Sequence, residues 1–175
     1  MSDDGAGPAV VPASPRGDDV PWLDELEQAT WRAFLRGSYL LTEALEAALA
    51  QHGMRMGEYE ILSMVSEAPG RRLRMSALAD RVVQSRSRLT HTATRLERLG
   101  LVERRRIRED GRGVDLHLTA AGQALLDTMA PIHVASVRAG LVDLMSPGEL
   151  EVVGEVMRRV IVANRTSPSQ GADAF

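Results

Sequence analysis

The sequence predicts a mainly α-helical chain of 175 residues interrupted by a single β-hairpin. Three observations carry that expectation. Apolar residues recur at helical spacing over long stretches before residue 52 and after residue 119. Between them, from Arg74 to Leu99, two shorter helical patterns are separated by only a few residues. Directly after these, Val102–Arg108 and Gly113–Leu118 read as extended runs, with Val114, Leu116 and Leu118 alternating with Asp115 and His117.

Taken in order, residues 1–20 are rich in Gly, Ala, Pro and Asp, with no apolar run longer than Ala9-Val10-Val11. That composition suits a disordered tail and lacks the apolar core of a signal peptide. No stretch is long and apolar enough to span a bilayer, so the expected location is the cytoplasm. A long helix is expected from about Pro21 to Gln51, with Pro21 in its first turn and Gly53 beyond its end. Its apolar residues, among them Trp22, Leu26, Trp31, Phe34, Leu40, Leu45 and Leu49, cover more than one stripe. A helix apolar on two sides must be covered on two sides, one by its own domain and the other by a second copy of the chain. Met56–Ala68 is the next helix, with Tyr59, Ile61, Leu62 and Val65 inward and Pro69-Gly70 as its stop.

Ser76 is a suitable N-cap for a short helix whose inner face is Leu78, Ala79 and Val82. Ser85 caps a second helix that runs to Leu99. Leu89, Ala93, Leu96 and Leu99 fall on one side of it, and Ser87, Thr90, His91, Thr94, Arg95 and Arg98 on the other. Gly100 stands where a C′ glycine belongs. The outer face is polar and basic and carries no acid, which is the chemistry of a DNA-facing surface. In the following hairpin, Asp110-Gly111 supplies a tip that tolerates positive φ. Arg104, Arg106 and Arg108 share one strand face, and Arg112 sits at the tip. A helix-turn-helix followed by such a hairpin is a winged helix.

After the hairpin, Thr119 caps a helix to about Leu144, which Pro131 should kink or break. Ser146-Pro147-Gly148-Glu149 forms a capping box. It opens a last helix, to about Asn164, with a stripe of Leu150, Val153, Val156, Met157, Val160 and Ile161. The fold class is therefore mainly α, a winged helix-turn-helix with N- and C-terminal dimerisation helices. The domain spans 21–164, with a DNA-binding lobe at about 54–118, dimerisation helices at 21–52 and 119–164, and a second disordered tail at 165–175.

Charge is distributed unevenly. All 21 basic residues are Arg, and Cys and Lys are both absent. That leaves no disulfide, zinc finger, thiol switch, Walker lysine or Schiff-base lysine. Residues 71–112 hold thirteen Arg against five acids, a surplus of +8, so the rest must carry −11 to give the overall −3. An acidic body with a concentrated basic strip points to a polyanionic partner. No HExxH, GxSxG or glycine-rich phosphate loop is present. His52, His91, His117 and His133 show no i,i+3 or i,i+4 pairing. Neither an enzyme nor a metal or other cofactor is expected.

The run LADRVVQSRSRLTHTATRLERLGLVERR, followed by REDGRG and LTAAG, resembles the MarR family of bacterial winged-helix transcription regulators. The resemblance extends over roughly residues 22–164. Asp110-Gly111-Arg112 matches the family's Asp-x-Arg at the wing. Arg108 and Glu109 stand where many members have Cys or Pro, and the absence of Cys excludes the redox-sensing mode. The resemblance implies that the first helix and the last two interlock across a two-fold axis. It further implies a repressor on a palindromic operator in double-stranded DNA, released by a small aromatic or anionic effector. The expected DNA contacts are Ser76, Gln84, Ser85, Arg86, Ser87, Arg88, Thr90, His91 and Arg95, with Arg106, Arg108, Asp110 and Arg112 on the wing. Effectors in this family sit where the dimerisation helices meet the DNA-binding lobe, which singles out Trp31, Tyr39 and Tyr59. The alternative is a winged-helix module that binds protein without specific DNA binding.

Overall fold

The computed structural model describes residues 20–82, 85–106 and 113–165. The two expected tails fall almost wholly outside these, as do Gln84, Arg108, Asp110 and Arg112. The chain divides between Ser38 and Tyr39 into two units. In the first, helix α1 (Glu25–Ala50) begins later than Pro21. The Asp24 N–H donates to Glu27 Oε2 at 2.9 Å and the Glu27 N–H donates to Asp24 Oδ1 at 2.8 Å. This reciprocal cap satisfies two otherwise unpaired helix-end donors and fixes the start after Asp24.

In the second unit, α2 (Met56–Glu67) leads through a turn to a short strand β1 (Arg72–Arg74) and to α3 (Met75–Ala79). Then come α4 (Arg86–Arg98), the hairpin β2 (Val102–Arg106) and β3 (Val114–Leu118), α5 (Ala120–Gly140) and α6 (Pro147–Arg165). The sheet has the order β1-β3-β2 and is antiparallel throughout. Leu73 lies opposite Leu116, and Val102 opposite Leu118. The core gathers Leu49, Ile61, Leu62, Val65, Leu78, Leu89, Ala93, Leu96, Val102 and Leu116 with Leu126 and Met129 of α5. The four inward residues expected of α2 are all buried.

Several local rules hold. Ser85 caps α4, its Oγ accepting from the Arg88 N–H at 3.3 Å, and Gly100 takes φ +71° after the helix. Thr119 caps α5 by accepting from the Gly122 N–H at 3.0 Å. Ser146 and Glu149 form the expected box. Gly122 answers a packing need: a Cβ there would stand 2.1 Å from the Leu101 carbonyl oxygen, where α5 crosses the start of β2.

Four expectations are corrected. Arg74, the last residue of β1, occupies the N-cap of α3, so Ser76 lies inside the first turn. Once β1 pairs with β3, the helix must start directly after it. Leu99 is 57% exposed, because the helix ends at Arg98 and Leu99 turns out of the apolar row. α5 continues through Pro131 and stops at Gly140. A proline removes one donor, and buried Leu126 and Met129 before it, with Ile132 packed on the core after it, hold the helix together. Leu141, with φ −144° and ψ −59°, is where the chain leaves the helix.

Candidate nucleic-acid interface

Helix α4 lies against the core through Leu89, Ala93 and Leu96, so the opposite side is open. Ser85, Arg86, Ser87, Arg88, Thr90 and His91 are all exposed on its first turns, and Arg98 on its last. None of these exposed residues is acidic. Arg86 lies 3.6 Å from Asp80 across the helix-turn-helix, with both groups well exposed to water, so the pair leaves the guanidinium available. The α4 N-terminus adds its own partial positive charge to this end of the surface.

The hydroxyls are less free than the sequence suggests. Thr90 Oγ1 donates to the Arg86 carbonyl at 2.9 Å and Thr94 Oγ1 to the Thr90 carbonyl at 2.8 Å. Such back-bonding commits the proton and leaves the oxygen as an acceptor. Ser85 is engaged as the cap, with its oxygen 3.1 Å from Ser87 Oγ.

Arg104 on β2 turns toward α4. Its backbone N–H and Nη1 donate to the two carboxylate oxygens of Glu97 at 3.0 and 3.1 Å. Its Nη2 donates to the Thr90 carbonyl at 3.1 Å and to Thr94 Oγ1 at 2.9 Å. Arg104 therefore holds β2 onto α4, and Glu97, the one acid on that flank of α4, is neutralised by it. Arg106 is exposed at the end of β2 and shares the Arg104 face, as the strand period requires. On the other face Arg105 pairs with Glu103 at 2.7 Å, and this hydrogen bond holds the Glu103 carboxyl below its ordinary range. A groove of about 490 Å³ runs between α3, α4 and the hairpin, lined by Arg74, Met75, Ser76, Thr90, Arg104, Gly113 and Val114. Ser76 thus joins this surface, though not as a cap.

Arg95 departs from the outer face. Its Nε stands 2.5 Å from Oε1 of Glu58, a carboxylate that is only 4% exposed. Neither this pairing nor the Arg104 staple is local in sequence, and both escaped the helical pattern. A charged residue at an inward position of α2, next to Tyr59, was the available signal for Glu58.

The three aromatic candidates have unlike settings. Tyr59 is buried, its ring 4.3 Å from that of His133, and burial raises its phenol above the ordinary value. Tyr39 is exposed and donates to Glu43 Oε1 at 2.8 Å, which also raises it. Trp31 is half exposed and stacks on Phe34 with centroids 6.2 Å apart.

A helix-turn-helix with a hairpin wing stapled beside a basic helix defines a winged-helix protein. The MarR family profile matches residues 52–113. AbsC, a MarR family transcriptional regulator from Streptomyces coelicolor, is 40% identical, with a TM-score of 0.81 over 85% of this chain and 100% of that one. A second MarR family regulator from the same organism, solved in complex with DNA, is 39% identical, with a TM-score of 0.77 over 85% of this chain and 96% of that one. The transcriptional repressor YetL of Bacillus subtilis is 30% identical over 99 residues, 57% of this chain; the match spans 59% of YetL's own length. The chain belongs to the MarR family, whose members regulate transcription and are not enzymes. Among the described residues no helix is long and apolar enough to cross a membrane.

Proposed function

We propose that the chain is a homodimeric repressor that binds a palindromic operator through α4 and is released by a small effector. The observation that carries the reading is the open side of α4. Arg86, Ser87, Arg88, His91 and Arg98 face solvent with no exposed acid among them, in a chain whose net charge is −3. A surface of this kind attracts phosphate and presents arginine forks to guanine. Arg106, exposed at the end of β2, adds to this charge, and Arg108, Asp110 and Arg112, which follow it in the sequence, are the wing residues we assign to the minor groove. The related regulator solved with DNA and the repressor name of YetL support the reading.

Dimerisation is supported by the terminal helices. α6 buries none of its described residues and exposes Val152, Val153, Val160, Ile161 and Val162. In the first unit Trp22 and Leu26 are exposed as well. The partner's first helix is the natural cover for α6. Two α4 helices about 34 Å apart then meet successive major grooves. For the effector, Trp31 and Tyr39 keep exposed ring surface, whereas Tyr59 serves the core.

Selection from a random duplex pool tests the reading. It predicts recovery of an inverted repeat with half-sites one helical turn apart, bound with a steep salt dependence. Recovery of no preferred sequence would favour the protein-binding module instead. Arg112→Ala should lower the log–log salt slope by about 0.9 if that arginine meets a phosphate. A panel of phenolic acids, scored for DNA release in the wild type and in Trp31→Phe, tests the effector; release unchanged by the substitution would move the site elsewhere.

A further inference from the structure

We infer that Glu58 is a positioning residue for DNA readout, setting the rotation of the recognition helix through Arg95; this rests on the DNA-binding reading above. Glu58 is the one buried charged residue among the described residues. One of its oxygens is hydrogen-bonded and the other is held by charge alone, in an ion pair without hydrogen-bond geometry. Oε2 accepts from the Arg55 N–H at 3.0 Å, closing the first turn of α2, and Oε1 faces Arg95 Nε at 2.5 Å. A carboxylate withdrawn from water this far needs a cationic partner held in one place. Arg95 meets it as an ion pair at its Nε edge.

The geometry makes this one half of a clamp. On a helical wheel Thr90, Thr94 and Glu97 fall to one side of the buried Leu89–Ala93–Leu96 row, and Arg95 falls to the other. The first flank is tied to the wing by Arg104. The second is tied to α2 by Glu58. The open side that carries Ser87, His91 and Arg98 lies between the two ties, so rotation of α4 in either direction strains one of them. The close-packed apolar row limits rotation from beneath, and the two polar ties add a constraint on each flank.

A second carboxylate extends the link. Glu46 of α1 accepts from the Met56 N–H at 3.0 Å at the start of α2. Glu46, Glu58, Arg88, His91 and Arg95 line one small cleft of about 90 Å³. The α1 helix, the α2 N-terminus and the outer residues of α4 therefore meet at one charged cluster. Arg95, expected from sequence to touch DNA, acts here as the anchor.

The experiment measures affinity for the duplex selected by the wild-type chain, affinity for an unrelated duplex, and the salt slope for both. Glu58→Gln keeps the side-chain shape and the acceptor for the Arg55 N–H but releases Arg95. Affinity for the selected duplex should fall about tenfold, with affinity for the unrelated duplex and the salt slope unchanged. Arg95→Gln should do the same, and the double variant should be no worse than Arg95→Gln alone. Circular dichroism of each variant establishes that the helices are retained. Wild-type selectivity in Glu58→Gln, or a salt slope lowered by about 0.9 in Arg95→Gln alone, would overturn the inference and make Arg95 a phosphate contact. A wild-type chain that selects no sequence would overturn the DNA-binding reading and this inference with it.

Discussion

Helices α4 and α6 both leave one side uncovered, but the chemistry of the two sides is opposite. α4 exposes arginine, serine and histidine, groups that water solvates well until a polyanion replaces it. α6 exposes Val152, Val153, Val160, Ile161 and Val162, which water does not solvate favourably. The winged lobe closes its apolar surface within one chain, through Leu89, Ala93 and Leu96 on one side and Ile61, Leu78 and Leu116 on the other. The last helix does not. Amphipathic spacing specifies that a face exists, and the residue chemistry of that face specifies the kind of partner that covers it.

The largest effect should come from removing the apolar side of this comparison. Burial of five or six aliphatic side chains contributes roughly 1.5–3 kcal/mol each before entropy. That gross contribution rivals a domain's net stability of about 5–15 kcal/mol. A chain ended after Met145 should aggregate or fold poorly and lose selective DNA binding. In the full chain the unfolding midpoint should rise with protein concentration. A soluble, cooperatively folded truncation would show that the lobe is independent of its terminal helices.

Next is the joint between the lobe and α5. Gly122→Ala places a methyl against the Leu101 carbonyl, so either the wing base or α5 must shift. A loss of about 3 kcal/mol in chemical denaturation is expected. An unchanged midpoint would mean that the joint yields easily.

A smaller effect is expected within the lobe. Arg104→Ala removes the staple between wing and α4 and should cost about 2 kcal/mol, measured by urea unfolding. It should also reduce selectivity for DNA more than it reduces salt dependence, because Arg104 bonds to the protein.

The smallest effect concerns His133, on α5. Its Nδ1 is buried without a hydrogen-bond partner among the described residues, and burial lowers its pKa. A lowered histidine means that the unfolded chain takes up the proton first as pH falls through the ordinary histidine value of about 6.5, so stability drops below that pH. Replacing His133 by Gln should flatten the Tm profile between pH 7 and 5 by about 2 °C or less. A profile identical to the wild type would place the pH response elsewhere.

Local rules made much of this molecule legible. Ser85, Gly100, Thr119 and the Ser146–Glu149 box each act within four residues, and the structure has them where the sequence implied. The burial of Leu89, Ala93 and Leu96 follows from helical spacing in the same way. What escaped depends on distant partners. β1 is three residues long and exists because β3 pairs with it, and that pairing displaces the expected cap at Ser76. Arg104 looked like a wing arginine until Glu97 and Thr94 claimed it. Arg95 shares the polar arc of α4, and only the buried Glu58 on another helix distinguishes it from its neighbours. Of the kink or break that Pro131 implied, the break did not occur, because packing on both sides of it keeps α5 continuous.

Sedimentation equilibrium of the full chain, alone and with its selected duplex, tests both uncovered sides at once. Two chains in free solution and two chains on each duplex are predicted, the apolar side closed by a second copy and the basic sides set on one palindrome. A single chain in solution that binds the duplex one to one would contradict the account.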